Sequence, residues 1–334
     1  MTQSPTMSRR AASIRLAAMA GAGLGLAALP SLSRAQAAWP ERPITLISPF
    51  GGAVDTLARL IAQHLGRLLN GSMIVDVKLG ASGTLGMAAV ARAAPDGYTI
   101  GMGTTTSMTS APHLIKNLGY DVIKSFTYLG VIQTTRQVLV VSPALGVNTV
   151  AEFIALAKSK PGQLNFGSSG LGNSIHLVAE QFNSSVGIQA VHIPFKTGPE
   201  TDTAIMGGNV QYAWQSVPSS IGLIQGGRIK ALAVTGDTRD PSLPGVPSVK
   251  EAGYNILLPE QLFGMVAPAN LPPAIHAKLS RAIADMCADP AFQDSVRKGG
   301  GMPSQVGGEE FRRLVARDSQ MWGDLIKRLG ITST

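Results

Sequence analysis

Hydrophobic and polar positions along this chain switch repeatedly between a strand period and a helix period. Ile44-Thr45-Leu46-Ile47-Ser48-Pro49-Phe50 is a short apolar block that runs into Gly51-Gly52, the pattern of a buried strand ending in a turn. Leu57, Leu60, Ile61, Leu65 and Leu68 then recur at three- and four-residue spacing, which predicts an amphipathic helix. Residues 73–77 predict the next strand, Gly80-Ala81-Ser82-Gly83 a loop, and the stretch through Arg92 a second helix. Asp96-Gly97-Tyr98 reads as a turn before a strand over 99–103.

The same alternation resumes near Gln137. Strands are expected at 137–141, 164–167, 191–195, 210–214, 231–235 and 262–268, with helices over 150–158 and 175–182. Residues 236–253 read as a Pro-rich surface crossing. From Pro272 onward the pattern is amphipathic helix, broken at Pro290 and at Gly299-Gly300-Gly301. Strand–helix alternation of this kind predicts α/β architecture built on parallel sheets. No fixed-period repeat or low-complexity linker interrupts it.

The first 37 residues stand apart. A basic start with Arg9, Arg10 and Arg15 and no acid leads into an Ala/Gly-rich run, then Ala35-Gln36-Ala37. This is the layout of an export signal with twin-arginine character, cleaved near Ala37, although Ala11-Ala12-Ser13 departs from the fuller twin-arginine pattern. The apolar run is too short for a bilayer core of about 30 Å. The mature protein is therefore expected outside the cytoplasm, in the periplasm. Removing that segment also changes the charge: 28 basic residues less the four arginines at 9, 10, 15 and 34 leave 24 against 20 acids, so the +8 of the whole chain falls to +4. With no basic stripe interleaved with aromatics, nucleic acid is not an expected partner. The single cysteine, Cys287, excludes an intramolecular disulfide and, lying in a helical pattern, reads as a packed thiol.

Catalytic signatures are scarce. Gly167-Ser168-Ser169-Gly170-Leu171 lacks the last glycine of a nucleophile elbow, Gly170-Leu171-Gly172 lacks the third glycine of a dinucleotide fingerprint, and the five histidines show no metal-ligand spacing. No cofactor and no metal are expected. What does recur is strand, Gly/Ser loop, helix: at Pro49–Gly52, at Ser168–Gly172, and more loosely at Gly103-Thr104-Thr105-Thr106-Ser107. Such loops offer backbone N–H groups and a positive helix end to an anion, and they are also what any parallel sheet contains.

Taken in order, several segments resemble the extracytoplasmic solute receptors of the tripartite tricarboxylate transporters, the Bug-type receptors. They are Trp39-Pro40-Glu41-Arg42-Pro43-Ile44, the Gly51-Gly52-Ala53-Val54-Asp55 loop, Pro95-Asp96-Gly97-Tyr98-Thr99, Lys160-Pro161-Gly162-Gln163-Leu164-Asn165, Ser168 through Leu177, Pro194-Phe195-Lys196, and Leu243 through Gly253. The resemblance runs along essentially the whole mature chain. It implies a two-lobed periplasmic binding protein of type II-like fold, with lobe 1 over 38–139 plus 262–334 and lobe 2 over 140–261. The strands at 137–141 and 262–267 would connect the lobes as a hinge. It further implies a non-enzymatic, monomeric receptor that closes around a small carboxylated organic acid and delivers it to integral-membrane permease subunits.

On that resemblance the ligand contacts fall to Phe50, Gly51, Gly52 and Asp55 in one lobe and to Ser168, Ser169, Gly172, Ser174 and His176 in the other. Thr104, Ser107, Phe195, Trp214 and Gln215 complete the candidate set. The chain departs from the family pattern in a first loop about two residues shorter, in Trp214-Gln215-Ser216, and in Lys78-Leu79-Gly80. Several residues have a second reading. Asp55 could instead cap the helix holding Leu57. His176 could be structural, Lys196 a solvated turn residue, and Phe195 or Trp214 core. Two other functions fit the pattern: an extracytoplasmic hydrolase using Ser168 or Ser169 with His176, and a receptor that serves a signalling partner.

Overall fold

The computed structural model describes residues 39–49 and 53–332. The expected export signal and the loop residues Phe50, Gly51 and Gly52 lie outside the described residues. Residues 39–41 carry no helix or strand, and everything below concerns the compact unit Arg42–Thr334.

Two mixed sheets carry the architecture. The first holds β1 (Ile44–Ser48), β2 (Met73–Val77), β3 (Thr99–Thr104), β4 (Phe126–Thr135), β10 (Gln261–Pro268) and the two-residue β11 (Met302–Pro303). Its order is β11-β4-β10-β3-β1-β2. The second holds β5 (Gln137–Val141), β6 (Leu164–Ser168), β7 (Ala190–Pro194), β8 (Tyr212–Ser216) and β9 (Lys230–Val234), in the order β7-β6-β8-β5-β9. In the first sheet β1, β2 and β3 are parallel, and β10 returns antiparallel between β3 and β4. In the second, β6 is parallel to β7 and β8, and β5 lies antiparallel between β8 and β9. The two sheets thus repeat one plan: the second parallel strand lies outside the first, the third lies on its other side, and an antiparallel strand follows. Each sheet is mixed where the sequence pattern alone predicted parallel pairing.

Helices α1 (Ala53–Leu69) and α2 (Thr84–Ala91) cross between the parallel strands of the first sheet. α3 (Ala111–Leu114) follows β3 through a π-helical stretch, Thr106–Ser110. α4 (Val150–Ser159), α5 (Ser174–Val186), α6 (Gly198–Met206) and α7 (Val217–Gln225) serve the second sheet. α8 (Pro273–Ala288), α9 (Pro290–Lys298) and α10 (Gly308–Leu329) end the described chain. Pro290 starts α9 rather than merely interrupting a helix. Asp289 caps it by accepting from the Ala291 N–H at 2.9 Å, and proline suits a first helical position that needs no N–H.

Strands β1 and β5 are buried along almost their whole length, which is why both read as continuous apolar runs rather than alternating ones. Alternate residues of β5 face two cores: Leu139 and Val141 join the cluster of Phe153, Phe166 and Phe182, while Val138 and Val140 join Ile205, Val210 and Ile229. The first sheet packs Ile47, Val90, Met108 and Val266 against Phe311 and Val315 of α10. Farther along the same helix, Trp322, Leu325 and Ile326 enter the core of the second sheet. Cys287 is buried, and burial pushes its thiol up to about 12, so it is a packed and unreactive group.

The chain passes from the first sheet to the second at Arg136, between β4 and β5, and returns over residues 235–260. That return segment is more than the surface crossing its prolines suggested. Ser248 bridges to Val234 of β9, and Leu243 and Val249 are buried. β4, absent from the sequence pattern, is the longest strand and pairs with β10 over eight residues.

Candidate functional site

In an open α/β sheet, ligands bind outside the carboxyl ends of the strands, where the order reverses direction. Here both sheets reverse beside their first parallel strand, next to β1 and next to β6. Among the described residues, the segments that follow β2, β3, β6 and β7 and the first residue of β10 surround one such space. A cavity of about 480 Å³ lies there. Thr106 and Gln261 line it from the side of the first sheet. Ser169, Asn173, Ser174 and Lys196 line it from the side of the second. Its size suits a small molecule.

The loop after β6 is held from within. Ser168 is fully buried, and its hydroxyl lies 3.0 Å from the Gly170 carbonyl and 2.7 Å from His192 Nε2. Only one of these contacts can use the serine proton. Donation to the Gly170 carbonyl leaves His192 Nε2–H to donate to the serine oxygen. Asn173 caps α5 by accepting from the His176 N–H at 2.8 Å, and its amide donates to Ser169 Oγ at 3.0 Å. The Gly172 N–H donates to His176 Nδ1 at 3.0 Å, which places the imidazole proton on Nε2, facing Glu180 Oε1 at 3.5 Å. The His176 and His192 rings stack with centroids 3.8 Å apart, and Phe166 stacks on His192 at 4.9 Å. Burial, with His176 adding to it, lowers the pKa of His192 to about 3, so this stack is neutral at its centre.

These contacts give His176 a structural task, fixing the Gly172 backbone. They also separate it from both serines: Ser168 pairs with His192, and Ser169 with Asn173. A hydrolase needs an exposed serine whose proton an oriented histidine can take. The buried Ser168 hydroxyl with a carbonyl acceptor does not provide one.

The remaining candidates fall in several places. Asp55 is the third residue of α1, in its first turn rather than at the cap, and pairs with Arg59 at 2.9 Å. Thr104 and Ser107 are buried and bond reciprocally at 3.1–3.4 Å, so their groups shape the π-helical stretch while Thr106 reaches the cavity. Trp214 sits in the core, edge-on to Phe182. Phe195 packs toward α6 and lines a separate shallow depression with Pro199 and Thr203. Gln215 is buried, and its amide donates to the Gly198 carbonyl at 3.1 Å and to Asp202 at 2.9 Å. Burial raises the Asp202 pKa. Among the described residues no group of three or more acidic, His or Cys side chains could hold a metal.

Sequence reasoning passed over Ser82, Thr106, Thr197 and Gln261, all of which line the cavity. One of them had a readable signal. Thr197-Gly198-Pro199-Glu200 has the spacing of a capping box, and Thr197 Oγ1 accepts from the Glu200 N–H at 3.4 Å while Glu200 Oε2 accepts from the Lys196 N–H at 3.1 Å. That pattern announces a helix start directly after a strand. Ser82 had no such signal: it and Ala81 adopt left-handed backbone (φ 55° and 45°) between Gly80 and Gly83.

Residues 57–331 match the family model described as tripartite tricarboxylate transporter family receptor. The chain belongs to that family of solute-binding receptors. It is 31% identical over 316 residues to the "UPF0065 protein in gbd 5'region" of Cupriavidus necator, covering 94% of this chain and 95% of that protein. Among solved structures, "R. palustris Rpa4515 with adipate" superposes with a TM-score of 0.78 at 30% identity, over 88% of this chain and 100% of that one. "Structure of periplasmic binding protein BugD" gives 0.74 at 29%, over 88% and 100%. The two-lobed α/β fold is thus that of periplasmic solute receptors. Among the described residues no helix is long and apolar enough to cross a membrane.

Proposed function

We propose that this chain is a periplasmic receptor that captures a small carboxylate between its two lobes and delivers it to permease subunits in the membrane. The observation that carries this reading is the 480 Å³ cavity with two helix starts against it. Ser174 opens α5 and Gly198 opens α6, and both line the cavity. The N–H groups of a first helical turn have no partner within the helix, and the helix end carries partial positive charge. A carboxylate there is met by backbone donors from Ser174 and Ile175, by the Ser169 hydroxyl and by Lys196, with no buried counter-ion required. The relative solved with adipate supports an acid as the ligand class.

Thermal unfolding of the exported protein against a panel of carboxylic acids tests this. A ligand at 100 times its Kd adds about 2.7 kcal/mol of stability. A cognate acid should therefore raise the transition by several degrees, and Asn173→Ala should weaken its binding through loss of the loop's inner bonds. A panel of mono-, di- and tricarboxylates that leaves the transition unmoved would overturn the reading.

A further inference from the structure

A second cavity, about 430 Å³, adjoins the first. Gln261, the first residue of β10, lines both. Gln261 is thus a wall residue common to the two spaces. The walls of the second are of a different kind. Val54, Leu57 and Leu60 of α1, Phe263 of β10, Pro218 of α7 and Val296 of α9 supply its apolar surface. Its other described lining groups are hydroxyls, carboxamides and glycine backbone, and none is charged. Gly300, next to the lining Gly299, approaches Pro218 closely: a Cβ on it would stand 2.7 Å from the Pro218 ring.

We infer that this second cavity receives the body of the ligand, and that the ligand is a monocarboxylate with an uncharged apolar body, aromatic or aliphatic. The inference rests on the proposed receptor function, in which the carboxylate lies by Ser174 and Lys196. A body extending past Gln261 then enters the space under Leu57 and Leu60, where apolar surface leaves water on both sides. A second carboxylate at that end would give up its hydration with no cation to answer it, because Lys196 belongs to the first cavity and the described lining of the second offers no Arg, Lys or His. Hydroxyls and carboxamides at the junction can orient such a molecule but cannot neutralise a charge.

Titration calorimetry with matched acids reads this directly. The pairs are hexanoate against adipate and benzoate against terephthalate, each with the exported protein and with Leu60→Lys. The monoacid of a pair is expected to bind at least tenfold tighter than its diacid. Leu60→Lys, which places an ammonium on the cavity wall, is expected to narrow that ratio at least threefold by improving the diacid. A diacid that binds as well as or better than its monoacid overturns the inference and leaves the receptor function standing. A monoacid preference that Leu60→Lys does not alter overturns the placement of the ligand body here. Failure of all four acids to bind overturns the inference, while the receptor reading stands or falls on the wider panel of mono-, di- and tricarboxylates.

Discussion

Arg136 and Glu260 meet at 3.0 Å, each standing on a different passage between the two sheets. Arg136 is the single residue between β4 and β5. Glu260 immediately precedes β10. Thr134 donates to the second Glu260 oxygen at 2.5 Å, and the guanidinium also donates to Thr238 Oγ1 at 2.8 Å and to the Arg239 carbonyl. One cation thus ties together both strands of the joint. With the Arg136 side chain only 5% exposed, removing one partner strands a buried charge. Glu260→Leu, which leaves the buried guanidinium without its carboxylate, is expected to cost about 3 kcal/mol, and Arg136→Met with Glu260→Leu to recover more than half of that. Urea unfolding of the two single variants and the double variant measures the coupling. Additive losses would show that the pair does not act as a unit.

Gly172 predicts a second outcome. Its φ is +72°, and a Cβ there would lie 2.2 Å from Leu114, which reaches it from α3. Gly172→Ala therefore combines left-handed strain with an overpacked contact between the lobes, for an expected loss of about 2–3 kcal/mol. Leu114→Ala in the same chain should remove the overlap but not the strain, leaving about 1–2 kcal/mol of the loss. Thermal unfolding of the variants separates the two parts. A Gly172→Ala protein as stable as wild type would exclude both the left-handed strain and the close contact with Leu114.

His192 gives the chain an acid response. Its folded pKa is lowered to about 3, whereas an unfolded histidine titrates near 6.5. Below pH 6.5 the unfolded state takes up a proton that the folded state refuses. The stability it contributes is present above pH 6.5 and is lost as the pH falls toward 3, by up to about 1.4 kcal/mol per pH unit. His192→Asn should flatten the difference in stability between pH 7 and pH 5 relative to wild type. Denaturant midpoints at the two pH values provide the check, and parallel changes in both proteins would exclude His192 as the source.

Much of the fold was legible because burial imposes a period. The β1 and β5 runs and the α1 stripe follow from apolar spacing alone. β4 was not, for a local reason. Gly130 interrupts its middle, with φ 158° and a backbone approach to Val306, and the strand ends in the polar Gln133, Thr134 and Thr135. Its place in the sheet comes from pairing with β10, some 130 residues away, which no local pattern contains. The site divides in the same way. The loop after β6 was visible as Ser, Gly and Asn before a helix. The assignment of its contacts was not, because whether His176 bonds to a serine or to the Gly172 backbone depends on how α5 is rolled against β6 and β8. Trp214 and Phe195 face away from the cavity for a related reason: a strand side chain can lie on either face, and the sequence could not say which face of β8 or the β7 end met the cleft.

α10 carries Phe311 in one core and Trp322 in the other, 11 residues apart on a single helix. It is also the last element of the described chain. A chain that stopped at residue 307 would therefore lack wall residues in both halves at once: Phe311 and Val315 from one core, and Trp322, Leu325 and Ile326 from the other. The packing among Ile205, Val210 and Ile229 on the other face of the second sheet takes nothing from this helix. One 22-residue helix thus makes the integrity of each half depend on the same stretch of chain, so truncating it damages both together.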